Sequence, residues 1–426
     1  MNTEKRIPVT VTERNYAYVA KDSSTLNFSN GFIIKGAYST EKLKKAVEKL
    51  YERHDALRMR VMMEGENVWF VRRDSVPYSL EIVPLTSSDR ESRYMEAMED
   101  AHKRIREDTL LSEQGLYRFW AYELTDNELI FVYFAHHMAT DAASMEILNE
   151  ELELYYENPE RTDIPEAVSF EEFALEREAY YKTDEYKENS VYWKKNAECC
   201  EHEQLSFQPE DWKDDTVSMK IAEYILPLDR LIRVSRENRT SNFNTMLLLL
   251  RTALIHITGK KNVSVSYLFN GRTNPKYART VGFIAQGVDF SIEIPEELSF
   301  KEAEKMVRNH INSGMKYISA SDCIPLSEYS FSYMPKTNVK KYAKFAGMER
   351  QLFMVHPSSN YDFKMLAFIM TEMEGENEDV LYYYPMLNIN IYGEEFAKAF
   401  APLIDKYLEA VEKNPEIKIR ELMDIE

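Results

Sequence analysis

A chain of 426 residues, 44% of them hydrophobic and 29% charged, has the composition of a globular protein and exceeds one ordinary core, so two domains of roughly 200 residues each are expected. A formal charge of −19 argues against nucleic acid as a partner, because phosphate binding requires concentrated Lys and Arg. No basic stretch leads into a long apolar core at the start. The most apolar stretch, 246–250, sits in a segment broken by Arg251 and His256, so neither a leader nor a membrane span is indicated and a cytoplasmic location is expected.

In chain order, residues 32–37 read as a strand. Thr40, with Glu41 behind it, is a plausible N-cap for an amphipathic helix whose apolar face is Leu43, Ala46, Val47 and Leu50. Residues 61–63 and 67–71 form a hairpin across Glu64-Gly65-Glu66, and 88–107 is a charged helix. A second hairpin pairs 117–123 with 128–134 and delivers His136 and His137. Asp141 or Thr140 can cap the following helix, which stops near Asn158-Pro159. Residues 170–193 are a long polar helix or helix pair, 212–216 is loop-like, and the boundary between halves is expected within 198–218.

The second half continues with a strand near 218–226, a helix at 229–236, and a helix at 244–257 that is apolar nearly all round and hence buried. Strands at 263–268 and 288–294, a helix at 299–313, strands at 328–333, 362–370 and 380–384, and a helix at 394–413 complete the reading. Cys199, Cys200 and Cys323 give neither a disulfide framework nor metal-ligand spacing; reduced thiols are expected, with Cys199-Cys200 as inert linker residues.

The chemistry concentrates at 129–145, an apolar run that ends in His136 and His137 with Asp141 four residues beyond the second. Two imidazoles at the end of a buried strand are costly unless hydrogen-bonded, and histidine exchanges protons near neutral pH. Metal binding is disfavoured, since the strand ends at His137 and no Cys or further His stands nearby. Composition alone leaves open whether the histidines are catalytic or merely satisfied structural groups. Asp141 reads as a buried anion fixing the loop that presents His137, and such an anion needs a cation. Arg272, in Asn270-Gly271-Arg272-Thr273 after a strand, is the best distant candidate, although Asn270-Gly271-Arg272-Thr273-Asn274-Pro275 can also make an exposed turn. Lys336, Lys340, Lys341 and Lys344 are either a solvated face or a basic spot for a carrier domain or a coenzyme phosphate.

The run His136-His137-Met138-Ala139-Thr140-Asp141-Ala142 resembles the HHxxxDG signature of the condensation domains of nonribosomal peptide synthetases and their acyltransferase relatives, the group that includes chloramphenicol acetyltransferase. Arg53-His54-Asp55-Ala56-Leu57-Arg58 resembles the family's RHxxLR element, and Tyr192-Trp193 its YW element. Gly271-Arg272 and Val281-Gly282-Phe283-Ile284 resemble its GR and (I/V)GxF elements. Order and spacing are similar to the family's over essentially the whole length, and the ends fall where those of a free-standing condensation domain would.

The resemblance implies an α/β (α+β sandwich) fold of two chloramphenicol-acetyltransferase-like subdomains, 1–197 with the HHxxxD motif and 198–426, forming a V-shaped pseudo-dimer with a central tunnel. It implies a stand-alone condensation-type acyltransferase that joins a thioester-bound acyl group to an amine. The acyl group would ride on the phosphopantetheine of an acyl or peptidyl carrier protein. His137 would be catalytic, with His136, Asp141 and Arg272 as structural support and Asp141 paired with Arg272. No cofactor or metal bound by the enzyme, no nucleic acid and no membrane are implied. No Cys or Ser at the motif suggests an acyl-enzyme, so direct transfer is preferred. An O-acyltransferase, an acyl-CoA-dependent transferase and a catalytically degenerate carrier-binding module are the alternatives. Ala142 replaces the motif glycine, which adds a methyl group and restricts the backbone.

Overall fold

The apolar run 129–135 explains itself in the computed structural model, because its strand, Glu128–His136, is covered on both faces. Leu129, Phe131, Tyr133 and Ala135 point into one core together with Leu43, Val47, Leu50, Leu148 and Leu152 from the helices Thr40–Arg53 and Ala142–Glu157. Ile130, Val132 and Phe134 point the other way, onto Ala97, Ala101 and Ile105 of the helix Arg90–Glu107. A strand buried on both faces has no polar side to present, so apolar residues run on without alternation. The structure describes residues 5–20, 26–74, 78–107, 111, 115–200, 219–221, 224–336, 343–353, 355, 366–374, 378–388 and 394–425.

This strand belongs to a first unit made of residues 1–182, 270–285 and 338–360. Among the described residues its main sheet runs Lys344–Phe345, Met348–Phe353, Asn27–Lys35, Glu128–His136, Tyr117–Thr125, Glu81–Ile82. All neighbours are antiparallel except the last pair. A smaller sheet pairs Arg6–Pro8 and Met59–Glu64 with Asn67–Arg72. Helices Val11–Ala20 and Phe170–Tyr181 complete the unit.

The second unit comprises residues 183–269, 286–337 and 361–426. Its mixed sheet runs Gln286–Phe290, Val265–Phe269, Tyr329–Met334, Leu366–Met373, Val380–Asn388, with Met219–Ile221 and Tyr224–Pro227 both on the last strand. The helix Asn242–Thr258 is buried from Asn244 to Leu254, as its all-round apolar character predicts. It packs in one core with Val265, Phe331 and Phe368 of the sheet and with Phe400, Ile404 and Tyr407 of the helix Glu394–Lys413.

Both units are therefore α/β, as expected, but they are not the contiguous halves 1–197 and 198–426. The first boundary falls after Lys182, and 270–285 and 338–360 return to the first unit. The physical reason is hydrogen bonding. Ile284 and Ala285 donate their backbone N–H groups to Asp141, and Met348–Phe353 pairs in register with Asn27–Lys35. Expectations at 201–218 and 362–365 lie outside the described residues.

Candidate active site

The central strand stops pairing at His136, which faces Asn27 across the ladder. His136 N–H reaches Leu116 O at 2.9 Å and His137 N–H reaches Leu26 O at 2.7 Å, so the backbone is held up to the point where it turns. A single 3-10 turn, His137–Ala139, follows, and Tyr117 Oη donates to Ala139 O at 2.8 Å to pin it. Asp141 is then the N-cap of Ala142–Glu157, its Oδ1 accepting from Ser144 N at 2.8 Å. The cap satisfies a donor that every helix start leaves open.

The two imidazoles have different surroundings. His136 is 1% exposed, and its Nδ1 accepts from Met138 N at 3.1 Å, which places its proton on Nε2. Burial, and to a lesser degree the neighbouring His137, lower its pKa to about 3. It is neutral at pH 7 and serves the turn. His137 is only partly buried and lies edge-on within a three-sided aromatic box: Tyr16 at 5.6 Å, Phe283 at 5.7 Å and Phe28 at 6.3 Å between ring centroids. Its Nδ1 is buried, whereas Nε2 is not sealed off, has no hydrogen-bond partner among the described residues and is the ring's open nitrogen. Burial lowers the His137 pKa, opposed by the backbone at His137, the Asp141 charge and the backbone at Thr140.

The structure brings Arg272 to Asp141. Arg272 Nη1 donates to Asp141 Oδ2 at 2.8 Å and Nη2 to Oδ1 at 3.0 Å, a bidentate pair whose side chains are only 6% and 4% exposed. Arg272 Nη2 also donates to Ser144 Oγ and Thr280 O, and Asp141 Oδ2 accepts from the backbone N–H of Ile284 and Ala285. All of this lies within the first unit. The pair therefore ties 270–285 to the helix that begins immediately after His137.

Two glycines make that approach possible. Gly271 has φ +76°, and a Cβ there would fall 1.9 Å from Ile284 O; Gly282 has φ +150°, and a Cβ would fall 2.0 Å from the Phe170 ring. Gly271→Ala is expected to lower stability by about 1 to 3 kcal/mol through backbone displacement and strain. An unshifted thermal midpoint would contradict this. Ala142, by contrast, is the first residue of an α-helix and exposed, with no positive φ, so its methyl group is accommodated without strain.

His54 and Asp55 of the Arg53–Arg58 motif brace helices of the first unit. Glu151, fully buried in the helix Ala142–Glu157, is met by His54 Nε2 at 2.7 Å, Arg279 Nη2 at 2.7 Å and Arg53 Nε at 2.9 Å. Burial pushes its carboxyl up, and the hydrogen bonds from His54 and Arg279 together with the arginine charges outweigh it and bring the pKa below the ordinary value. Asp55 accepts from Phe170 N and Glu171 N at the start of Phe170–Tyr181. Tyr192 and Trp193 lie in the second unit on the helix Asp184–Ala197, where Trp193 Nε1 donates to Tyr317 O at 2.8 Å; they are packing residues. Of the lysine cluster, Lys340 and Lys341 fall outside the described residues, and Lys336 is paired with Asp379. Among the described residues there is no cluster of His, Cys, Asp and Glu suited to a metal ion, and no helix long and apolar enough to cross a membrane.

The aromatic box was not legible in the motifs. Tyr16 comes from the helix Val11–Ala20, in a stretch that reads as merely polar, and Phe28 from the start of a strand. Only Phe283 stands in a recognisable element.

His136 gives a pH prediction. Its folded pKa lies below the unfolded value of 6.5, so below that value the unfolded chain binds a proton that the folded chain refuses. Its contribution to stability is present above pH 6.5 and is lost as pH falls towards 3, by about 1.4 kcal/mol per pH unit. Urea titrations over this range check the slope, which His136→Asn should make shallower.

Comparison with known proteins identifies the family. Surfactin synthase subunit 1 of Bacillus subtilis (strain 168) is 24% identical over 291 residues, covering 67% of this chain and 8% of that protein. The chain thus spans less than a tenth of that curated relative. The X-domain from teicoplanin biosynthesis superposes with a TM-score of 0.80 at 16% identity, covering 99% of this chain and 98% of that one; it has also been solved in complex with OxyB. The condensation domain from Monacolin K polyketide synthase MokA gives a TM-score of 0.79 at 15% identity over 97% and 99% of the two chains. These likenesses show the fold. The condensation-domain family model matches residues 15–320, which include the histidine pair, Asp141 and Arg272, and the chain belongs to that family, whose members form amide bonds in nonribosomal peptide synthesis.

Proposed function

We propose that this protein is a condensation-type acyltransferase that joins a thioester-bound acyl group, carried on the phosphopantetheine of a carrier protein, to an amine. The observation that carries the reading is the contrast within the histidine pair: His136 is buried and committed to the turn, whereas His137 keeps Nε2 open in an apolar box. An imidazole neutral at pH 7 with one open nitrogen can accept the amine's proton as nitrogen attacks the thioester carbonyl. The new C–N bond forms, the C–S bond breaks, and the proton passes to the departing thiolate. Orientation of the amine and stabilisation of the tetrahedral intermediate use the same position of the ring. Asp141 and Arg272 act one step back, holding the turn.

The test is product formation. Purified protein, acyl-loaded carrier protein and a panel of amines should yield an amide by mass spectrometry, with alcohols and acyl-CoA tried in parallel to separate ester formation and CoA dependence. A second reading, a binding module without chemistry, draws on the likeness to the X-domain, which forms a complex with OxyB. Capture of carrier protein with no covalent product from any donor and acceptor would favour that reading and overturn the first.

A further inference from the structure

The second unit carries an adjacent pair of thiols that nothing in the acyl-transfer reading uses. Cys199 and Cys200 sit in the turn just past the helix Asp184–Ala197, with backbone N–H groups bonded to Asn196 O and Ala197 O. Their sulfurs are 3.7 Å apart, close to van der Waals contact. Cys199 is exposed and Cys200 partly so, which leaves the pair open to small solutes. The turn is held from below by a polar relay: Asn262 Nδ2 donates to Cys199 O at 2.7 Å, and Arg251, itself buried, donates to Asn262 Oδ1 and Ile292 O.

We propose that Cys199 and Cys200 are a peroxide-sensitive modification site that closes to a vicinal disulfide. Cys199 is the attacking sulfur. The hydrogen bond from Cys200, aided by the positive charge of Arg251, brings its thiol down to about 7, while the same hydrogen bond and burial push Cys200 up. The thiolate is the nucleophile. Cys199 thiolate attacks one peroxide oxygen, the O–O bond breaks, hydroxide leaves, and a sulfenic acid forms. The Cys200 sulfur then attacks the Cys199 sulfur, the S–O bond breaks, and the Cys200 proton leaves with the hydroxyl as water. In net terms two thiols and one hydrogen peroxide give one disulfide and two waters. Adjacent residues across a trans peptide hold their Cα atoms about 3.8 Å apart, short of the usual disulfide span of about 4.4 to 6.8 Å. The closed ring is therefore strained and readily reduced, which makes the modification reversible.

The experiment treats the full chain with one equivalent of hydrogen peroxide, quenches, denatures in N-ethylmaleimide and maps peptides by mass spectrometry. The peptide bearing Cys199 and Cys200 is expected to lose two hydrogens and take up no maleimide, and prior reduction with dithiothreitol should restore both alkylation sites. Cys323, a separate half-buried thiol whose pKa burial raises, is the internal control and should stay alkylatable. In Cys200→Ser the reaction should stop at a sulfenic acid on Cys199, trapped by dimedone, and in Cys199→Ser the remaining thiol should be unreacted at the same dose. Maleimide on both residues of the treated wild-type chain, a sulfinic acid on Cys199 beside an alkylated Cys200, or disulfide-linked dimers would each overturn the proposal.

Discussion

Asp141→Ala is expected to lower folding stability by about 3 to 5 kcal/mol, because it leaves the Arg272 guanidinium buried without its counter-charge. The carboxylate has several partners at once. It caps Ala142–Glu157 through Ser144 N, takes both arms of Arg272, and satisfies the backbone N–H groups of Ile284 and Ala285. Removing it orphans each of these donors in a place that water does not readily enter. Arg272→Ala removes the cation but leaves Asp141 its backbone donors, so its loss should be somewhat smaller. Arg272→Lys should rescue little, since an ammonium cannot reproduce the bidentate fork. The double variant should lose less than the sum of the singles, because each single already breaks the pair. Thermal and urea midpoints of the four proteins check this, and unchanged midpoints in both single variants would dispose of the pair as a structural element.

How much of this was legible in the sequence depends on whether the signal is local. The face Leu43, Ala46, Val47 and Leu50 is buried as its spacing predicts, because helical period and burial coincide in a single segment. The cap is off by one: Ser39, not Thr40, accepts from Lys42 N, and two adjacent hydroxyl residues offer no local means of choosing between them. The hairpin leading to His136 was legible because an uninterrupted apolar strand and a polar turn adjoin. Met348–Phe353 was not. Only Phe353 of its six residues is buried, and its place beside Asn27–Lys35 is decided by the partner strand rather than by its own pattern. The same holds for 270–285, which contiguity assigns to the second half and Asp141 draws into the first unit. At the site, the meeting of Asp141 and Arg272 was implied by motif resemblance across a sequence separation of 131, a distance over which periodicity carries no information. Tyr16 and Phe28 were missed for that reason: an aromatic residue beside a histidine in space leaves no trace in spacing.

His137→Ala should leave the fold in place and lower amide formation by about 10² to 10⁴-fold, the usual contribution of a positioned proton acceptor. The separation of effects follows from where each ring sits. His136 is sealed in and hydrogen-bonded to Met138 N, so its replacement should register chiefly in stability. His137 contributes an open nitrogen and edge contacts with three aromatic rings, so its loss costs packing on one side but orphans no buried donor. The pH profile supplies a sharper criterion. Burial holds the His137 pKa below 6.5, so the ring stays in its proton-accepting form at neutral pH, and kcat/KM should fall only as pH drops through that lowered value. In Tyr16→Ala one wall of the box opens to water, burial weakens, and this acidic limb should move up towards 6.5, whereas Tyr16→Phe keeps the wall and should leave the limb where it is. Unimpaired amide formation in His137→Ala would remove the imidazole from the chemistry, and an acidic limb that ignores Tyr16→Ala would remove the box from its control.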